Sequence, residues 1–202
     1  GYKSSKFIQT FNNKSYEKKI INKNLIDYKI KINHKSVSVK ILNTGINSSK
    51  KKRLLLSKKY IKDEIFFLTY GDGLADINIK KQFNFFFKKN KIGLITAVYP
   101  PSRFGEVKLH RDYIKSFSEK PMMSSGFING GFMIFSKKIF RYIKKSEKGD
   151  FENSVLPKLT KQRQILAFKH LNFWQCIDNE RELNFVNLLA KKNIKLKRFY
   201  GI

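Results

Sequence analysis

Cysteine occurs once among the 202 residues, at Cys176, so the chain can form no internal disulfide. A lone cysteine suits a reducing compartment, and a cytoplasmic location is expected. No apolar run approaches the roughly 20 residues that cross a bilayer, and mean hydropathy is -0.44. The opening residues lack the charged-then-apolar pattern of a signal peptide. Histidine is scarce: His34, His110 and His170 stand apart, each reading as structural or exposed, and no histidine metal cluster exists. There is no G-x-S-x-G, which removes support for a Ser-His-Asp hydrolase. There is also no Walker A and no G-x-G-x-x-G. No repeat or linker divides the chain, so a single domain over 1–202 is expected.

Acidic residues are few: 15 against 43 basic ones, a formal charge of +28. That excess first suggests nucleic acid. Yet only seven basic residues are arginine, the side chain suited to forked contacts with phosphates and bases. The lysines spread through every segment, and Lys, Asn, Ile, Phe and Tyr are abundant together, as AT-rich codons produce. Compositional drift accounts for the charge more simply than a binding surface does, and neither nucleic acid nor membrane is expected as a partner. The field would still attract nucleotides and sugar phosphates. Hydrophobic residues make up 41%, enough to build a core.

The chain is organised around Ile65-Phe66-Phe67-Leu68-Thr69-Tyr70-Gly71-Asp72-Gly73-Leu74-Ala75-Asp76. An apolar run long enough for one buried strand ends abruptly in Tyr-Gly-Asp-Gly. This delivers a carboxylate at the end of a strand, where ligands sit in open α/β sheets. A carboxylate there suits a hard cation such as Mg²⁺. Taken alone, the segment reads better as a tight turn. Asp76 reads as the N-cap of a helix running to about Asn90.

Before this stretch, Ser4 and Ser5 predict a short helix to about Asn12, and 14–24 reads as polar loop with a helical turn. Leu25 to Ile32 and Val37 to Ile41 predict a hairpin around Asn33-His34. A helix is predicted over 50–61, its basic run a solvated face; the minority reading is a helix start facing phosphate. Beyond it, 92–99 forms an apolar strand, and strand-helix-strand predicts a parallel βαβ unit. A hairpin is predicted over 106–117, a strand with paired glycines over 128–135, and short helices after 137 and 150. Strands follow at 165–168 and 173–178, then a helix over 180–193. The 173–178 run ends in a second carboxylate, Asp178. With Lys120, Asp72 and Asp178 would make a site for a metal-bound polyphosphate. Cys176 reads as a small buried residue.

The ordered set Thr69 to Asp76, Arg103-Phe104-Gly105, Phe117-Ser118-Glu119-Lys120-Pro121, Ile128-Asn129-Gly130-Gly131-Phe132 and Phe173-Trp174-Gln175-Cys176-Ile177-Asp178 closely resembles the glucose-1-phosphate cytidylyltransferases. These are a branch of the sugar-nucleotidyltransferase superfamily, and the resemblance covers nearly the whole chain. It implies an α/β fold, a Rossmann-like mixed sheet with flanking helices. It implies that Asp72 and Asp178 hold the catalytic Mg²⁺ and that Lys120 contacts the sugar phosphate. Glu119, Asn129 and Gly130 would line the sugar pocket, and Ser48, Arg53 and Gly71 match nucleotide-contacting positions. The implied substrates are CTP and glucose 1-phosphate, the products CDP-glucose and pyrophosphate, and the implied full-length assembly a homo-oligomer.

Two departures stand out. Family members begin with a strand, a G-G-x-G-T-R loop and a Pro-Lys-Pro segment, whereas Gly1-Tyr2-Lys3 resembles a point beyond them. The expectation is a chain lacking its first strand and Gly-rich loop, poorly soluble and inefficient alone, with two sheet edges unpaired. The family's Thr-Gly-Gly-Arg is replaced by Lys50-Lys51-Lys52-Arg53, so base selectivity does not carry over by resemblance. Three alternatives remain: a uridylyl- or thymidylyltransferase relative, a non-catalytic fragment, and a basic nucleic-acid-binding module. The last requires a steep salt dependence of binding that Asp72→Asn leaves intact.

Overall fold

A computed structural model describes residues 3–12, 16–100, 106–118, 126–144 and 148–192. Two compact units divide the chain: Gly1–Lys62 with Phe140–Lys158, and Asp63–Ile139 with Leu159–Ile202. Among the described residues no helix is long and apolar enough to cross a membrane.

In the first unit, α1 (Ser4–Asn12) precedes a three-stranded antiparallel meander of β1 (Glu17–Asn22), β2 (Leu25–Ile32) and β3 (Lys35–Leu42). The β2–β3 hairpin turns at Asn33-His34 as expected. Both residues are left-handed, with φ of 47° and 65°, as a tight two-residue turn between twisted strands requires. Tyr28 of β2 is buried, donates its hydroxyl to Asn12 Oδ1 at 2.7 Å, and lies 5.3 Å from the Phe11 ring. These contacts tie α1 to the sheet. The expected loop over 14–24 contains β1 instead. All six of its residues are exposed, so no burial pattern marks it, and its pairing with β2 alone makes it a strand.

The expected helix over 50–61 is α2 (Lys50–Ser57) followed by a 3₁₀ turn, Lys58–Tyr60. Ser49 caps α2, accepting from the Lys52 N–H at 3.2 Å. Asp150 serves two starts: its carboxylate accepts from the Lys51 N–H at 2.9 Å and from the Phe151 N–H at 2.7 Å. Lys50 pairs with Glu152 close by. Burial pushes the Asp150 carboxyl up, but the Lys51 and Phe151 N–H groups and the Lys50 charge outweigh it and hold it below its ordinary 3.8. Phe151–Val155 forms a π-helical turn leading into α4 (Leu156–Lys161).

In the second unit, β4 (Ile65–Thr69), β6 (Gly93–Val98), β9 (Ile128–Ser136) and β10 (Ile165–His170) form a mixed sheet in the order β10-β6-β9-β4. β5 (Gly73–Ala75) and β11 (Trp174–Cys176) make a separate antiparallel ribbon, and β7 (Glu106–His110) and β8 (Tyr113–Ser118) a hairpin. α3 (Ile79–Lys89) and α5 (Glu180–Lys192) accompany the strands. Phe86 of α3 packs with Leu94 and Ile134, and Phe83, Phe85, Leu166 and Phe168 pack around them. Phe83, Phe85 and Phe86 of α3 therefore serve the core, while Phe87 is exposed.

The sequence reading needs two corrections here. β4 and β6 run the same way, but β9 lies between them, antiparallel to both. An apolar run announces a buried strand without naming its neighbours, so strand order stays hidden. The N-cap of α3 is Asn78, which accepts from the Lys81 N–H at 2.9 Å. Asp76 instead donates its N–H to the Phe173 carbonyl at 3.2 Å, and its Oδ1 lies 3.1 Å from His170 Nε2. The ribbon claims Asp76 before the helix can.

Gly93 allows close packing: a Cβ there would stand 2.6 Å from the buried Phe135 ring. Gly93→Ala is expected to cost about 1–3 kcal/mol, read as a lower urea midpoint. Asp150 gives an acid-limb test. Above 3.8 the carboxylate is ionised in both states and its stabilisation is complete. As pH falls below that value the unfolded chain takes the proton first, and the stabilisation is lost as pH passes through the lowered folded value. Melting temperatures of Asp150→Asn between pH 7 and pH 2 are expected to start lower than those of the parent and fall less steeply at the acid end.

Candidate active site

β4 ends at Thr69, and the chain turns through Tyr70, Gly71 and Asp72, the Tyr70 N–H donating to the Gly131 carbonyl at 3.1 Å. β5 then pairs with β11, setting Gly73 opposite Cys176, Leu74 opposite Gln175 and Ala75 opposite Trp174. The Ile177 N–H donates to the Asp72 carbonyl at 2.8 Å. Together with the Asp76–Phe173 bond, this fastens the ribbon at both ends. Asp178 follows directly and comes beside Asp72. The ligand atoms of Asp72, Cys176 and Asp178 all lie within 4.8 Å of one another. Both carboxylates are exposed and the thiol is half-buried. Among the described residues nothing stands within 4 Å of where a Gly71 Cβ would be, and Asp72 beside it is exposed.

The Cys176 thiol donates to Asp178 Oδ1 at 3.4 Å. Burial first, then this hydrogen bond and the charges of Asp72, Asp178 and Glu182, push the thiol up to about 11. Each effect disfavours a further negative charge. Behind Asp178, Glu182 accepts from the Asp178 N–H at 2.8 Å, and Asn179 Oδ1 accepts from the Glu182 N–H at 3.0 Å. This reciprocal pair opens α5 in the manner of a capping box and fixes the backbone that carries Asp178. Two carboxylates this close could hold a hard divalent cation.

The other sequence-derived candidates have varied placements. Asn129 Oδ1 accepts from the Gly131 N–H at 2.9 Å. Between Ile95↔Met133 and Ala97↔Asn129, three residues of β9, Gly130, Gly131 and Phe132, stand against one of β6, Thr96, and Gly131 within this bulge has φ +80°. The Gly130 carbonyl accepts from the Trp174 indole at 2.8 Å, and a Cβ on Gly130 would meet Val98 at 2.7 Å. The glycine pair thus admits neighbouring strands and the indole. Ser48 and Arg53 belong to the first unit. Ser48 donates to the Thr44 carbonyl, while Arg53 donates to Thr44 Oγ1 at 2.5 Å and to the Ile46 carbonyl at 3.3 Å. Both residues fasten the loop before α2. At that helix start the Lys51 and Lys52 N–H groups are taken by Asp150 and Ser49, which removes the basis for the phosphate-facing reading. Glu119, Lys120, Pro121 and Arg103 to Gly105 lie outside the described residues.

Sequence reasoning passed over Cys176 and Glu182. Cys176 and Asp178 are two apart, a spacing that puts strand side chains on one side. Asn179-Glu180-Arg181-Glu182 carries a capping-box spacing ahead of an apolar face.

Residues 8–182 match the Nucleotidyl transferase family. The chain belongs to that family. It is 38% identical over 149 residues to the probable glucose-1-phosphate cytidylyltransferase of Bacillus subtilis (strain 168), spanning 74% of this chain and 58% of that relative. It is 32% identical over 196 residues to the glucose-1-phosphate cytidylyltransferase of Salmonella typhimurium, spanning 95% of this chain and 76% of that one. Among solved structures, HddC from Yersinia pseudotuberculosis complexed with GMP-PN is similar with a TM-score of 0.50 and 25% identity, over 69% of this chain and 62% of that one. This nucleotidyl transferase chain thus spans well under two thirds of the Bacillus subtilis relative.

A thiol held protonated among carboxylates reacts slowly with alkylating agents. The iodoacetamide rate at Cys176 is expected to rise with pH to a midpoint well above pH 9; a midpoint at the ordinary thiol value would contradict the surroundings described.

Proposed function

We propose that this chain carries nucleotidyl transfer from CTP to glucose 1-phosphate, giving CDP-glucose and pyrophosphate. One observation carries the reading: Asp72 and Asp178, on two separated stretches of chain, meet at the end of the β5–β11 ribbon, both exposed. The names of the two cytidylyltransferase relatives support the choice of substrates.

A phosphate oxygen of glucose 1-phosphate attacks the α-phosphorus of CTP in line. The bond from that phosphorus to the bridging oxygen breaks, and pyrophosphate leaves with the electron pair. No covalent enzyme intermediate is needed. The donor set fits Mg²⁺: two carboxylates, with a neighbouring thiol that keeps its proton. Asp72 and Asp178 would hold the ion, which when bound offsets negative charge on the phosphate oxygens. Gly71 leaves room for a phosphate to approach Asp72. Glu182 and Asn179 keep Asp178 in place, so little reorganisation accompanies the reaction. Asn129 and Gly130 are proposed for the sugar side with Glu119, Lys120 is proposed for the sugar phosphate, and Ser48, Arg53 and Gly71 are proposed for the nucleotide. The lysine-rich field concentrates both anionic substrates.

Pyrophosphate release from CTP and glucose 1-phosphate tests the reading. Asp72→Asn and Asp178→Asn are each expected to slow it by about a hundredfold or more, with circular dichroism unchanged. Undiminished release would sink the role of the pair, and faster turnover of UTP, dTTP or GTP than of CTP would sink the choice of base.

A further inference from the structure

We infer that His170 is a positioning residue for the Asp72–Asp178 pair: its Nε2–H, shared between the Phe173 carbonyl and the Asp76 carboxylate, holds one end of the β5–β11 ribbon and so sets the two carboxylates at the other. The inference rests on the proposed cation-binding role of those carboxylates. It assigns the group that keeps them together to a residue outside the ribbon.

His170 ends β10, opposite Val98 of β6, and is buried. A buried imidazole is costly unless its polar atoms are paired. Here Nε2 lies 3.0 Å from the Phe173 carbonyl and 3.1 Å from Asp76 Oδ1. A carbonyl and a carboxylate both accept, so Nε2 carries the proton and one N–H serves the two. The Asp76 N–H donates to the same Phe173 carbonyl at 3.2 Å. The three residues thus close a ring of hydrogen bonds. It joins the end of β10, the residue before β11 and the residue after β5. Through it the main sheet holds the ribbon.

The hold matters because the ribbon is short. Each of its strands has three residues, and an isolated pair of such strands is not stable in water. A slip of one residue turns every strand side chain to the opposite face. Trp174 opposite Ala75 is the first pair beyond the ring of bonds, and Cys176 opposite Gly73 is the last before Asp72. The register set at Phe173 is therefore the register in which Asp178 arrives beside Asp72. Trp174 is the only tryptophan of the chain. Its indole N–H, donated to the Gly130 carbonyl at 2.8 Å, reports the seating of the ribbon without reference to any ion.

The experiment follows two quantities in the purified chain: hydrogen exchange of the Trp174 indole N–H by NMR, and Mn²⁺ affinity by electron paramagnetic resonance. His170→Leu fills the space and removes the donor. It is expected to speed the indole exchange and to weaken Mn²⁺ binding, each about tenfold. His170→Gln keeps a side-chain N–H and is expected to bring both back close to the parent. Asp76→Ala alters an exposed side chain, which keeps the test open should His170→Leu fail to fold. It is expected to shift both quantities the same way, by less. Parent-like exchange and affinity in either variant would overturn the inference. So would a His170→Gln chain as impaired as His170→Leu, or weaker Mn²⁺ binding with unchanged indole exchange. Asp178→Asn separates the two claims: if it binds Mn²⁺ as the parent does, the cation reading falls, while the indole exchange still decides whether His170 holds the ribbon.

Discussion

The pairing of β5 with β11 joins groups more than a hundred positions apart, Asp72 and Asp178, through two strands of three residues each. Strands that short cannot stand alone in water. This one is fastened at both ends, by Ile177 to the Asp72 carbonyl and by Asp76 to the Phe173 carbonyl. It is also tied to the main sheet by the Trp174 indole on Gly130 and by Tyr70 on Gly131. Gly130 has to be a glycine at this point, because a side chain there would run into Val98. His170 completes the support with contacts to Asp76 and to the Phe173 carbonyl. A misplacement of the ribbon would separate the two carboxylates.

The electrostatics of the chain are uneven in a useful way. A formal charge of +28 surrounds a small group of acids, Asp72, Asp178 and Glu182, whose combined charge is felt by the Cys176 thiol. In the proposed reaction the positive field would serve approach and the local negative cluster would serve a cation, each with its own range. Asp150 and Asp27 are committed to structure. Asp150 satisfies backbone donors at two helix starts, and Asp27 pairs with Lys40 at 2.9 Å. With so few acids, their placement distinguishes scaffold from site more clearly than the abundant lysines can.

Much of this was legible in the sequence where a periodic or punctuated pattern reports a physical need. The Asn33-His34 turn, the apolar strands and the two strand-terminal carboxylates all belong to that class, and the resemblance blocks at Thr69–Asp76 and Phe173–Asp178 are the two stretches that the β5–β11 ribbon joins. β1 was illegible because its exposed residues carry no alternation. The place of β9 between β4 and β6 was illegible because buried runs do not name their neighbours. Asp76 misled because a polar residue just before a helix reads as its cap, whereas its N–H pairs with the distant Phe173 carbonyl and Asn78 takes the cap. Cys176 read as a buried residue; the structure leaves it half-buried, its thiol donating to Asp178. Glu119 and Lys120 were read from the resemblance and lie outside the described residues.

The most direct measurement of the central claim is an anomalous difference map from crystals of the chain grown with Mn²⁺ and CTP. The account expects a peak within bonding distance of carboxylate oxygens of both Asp72 and Asp178, with phosphate oxygens on the same ion. A peak elsewhere, or nucleotide bound with no ion between the two carboxylates, would contradict it.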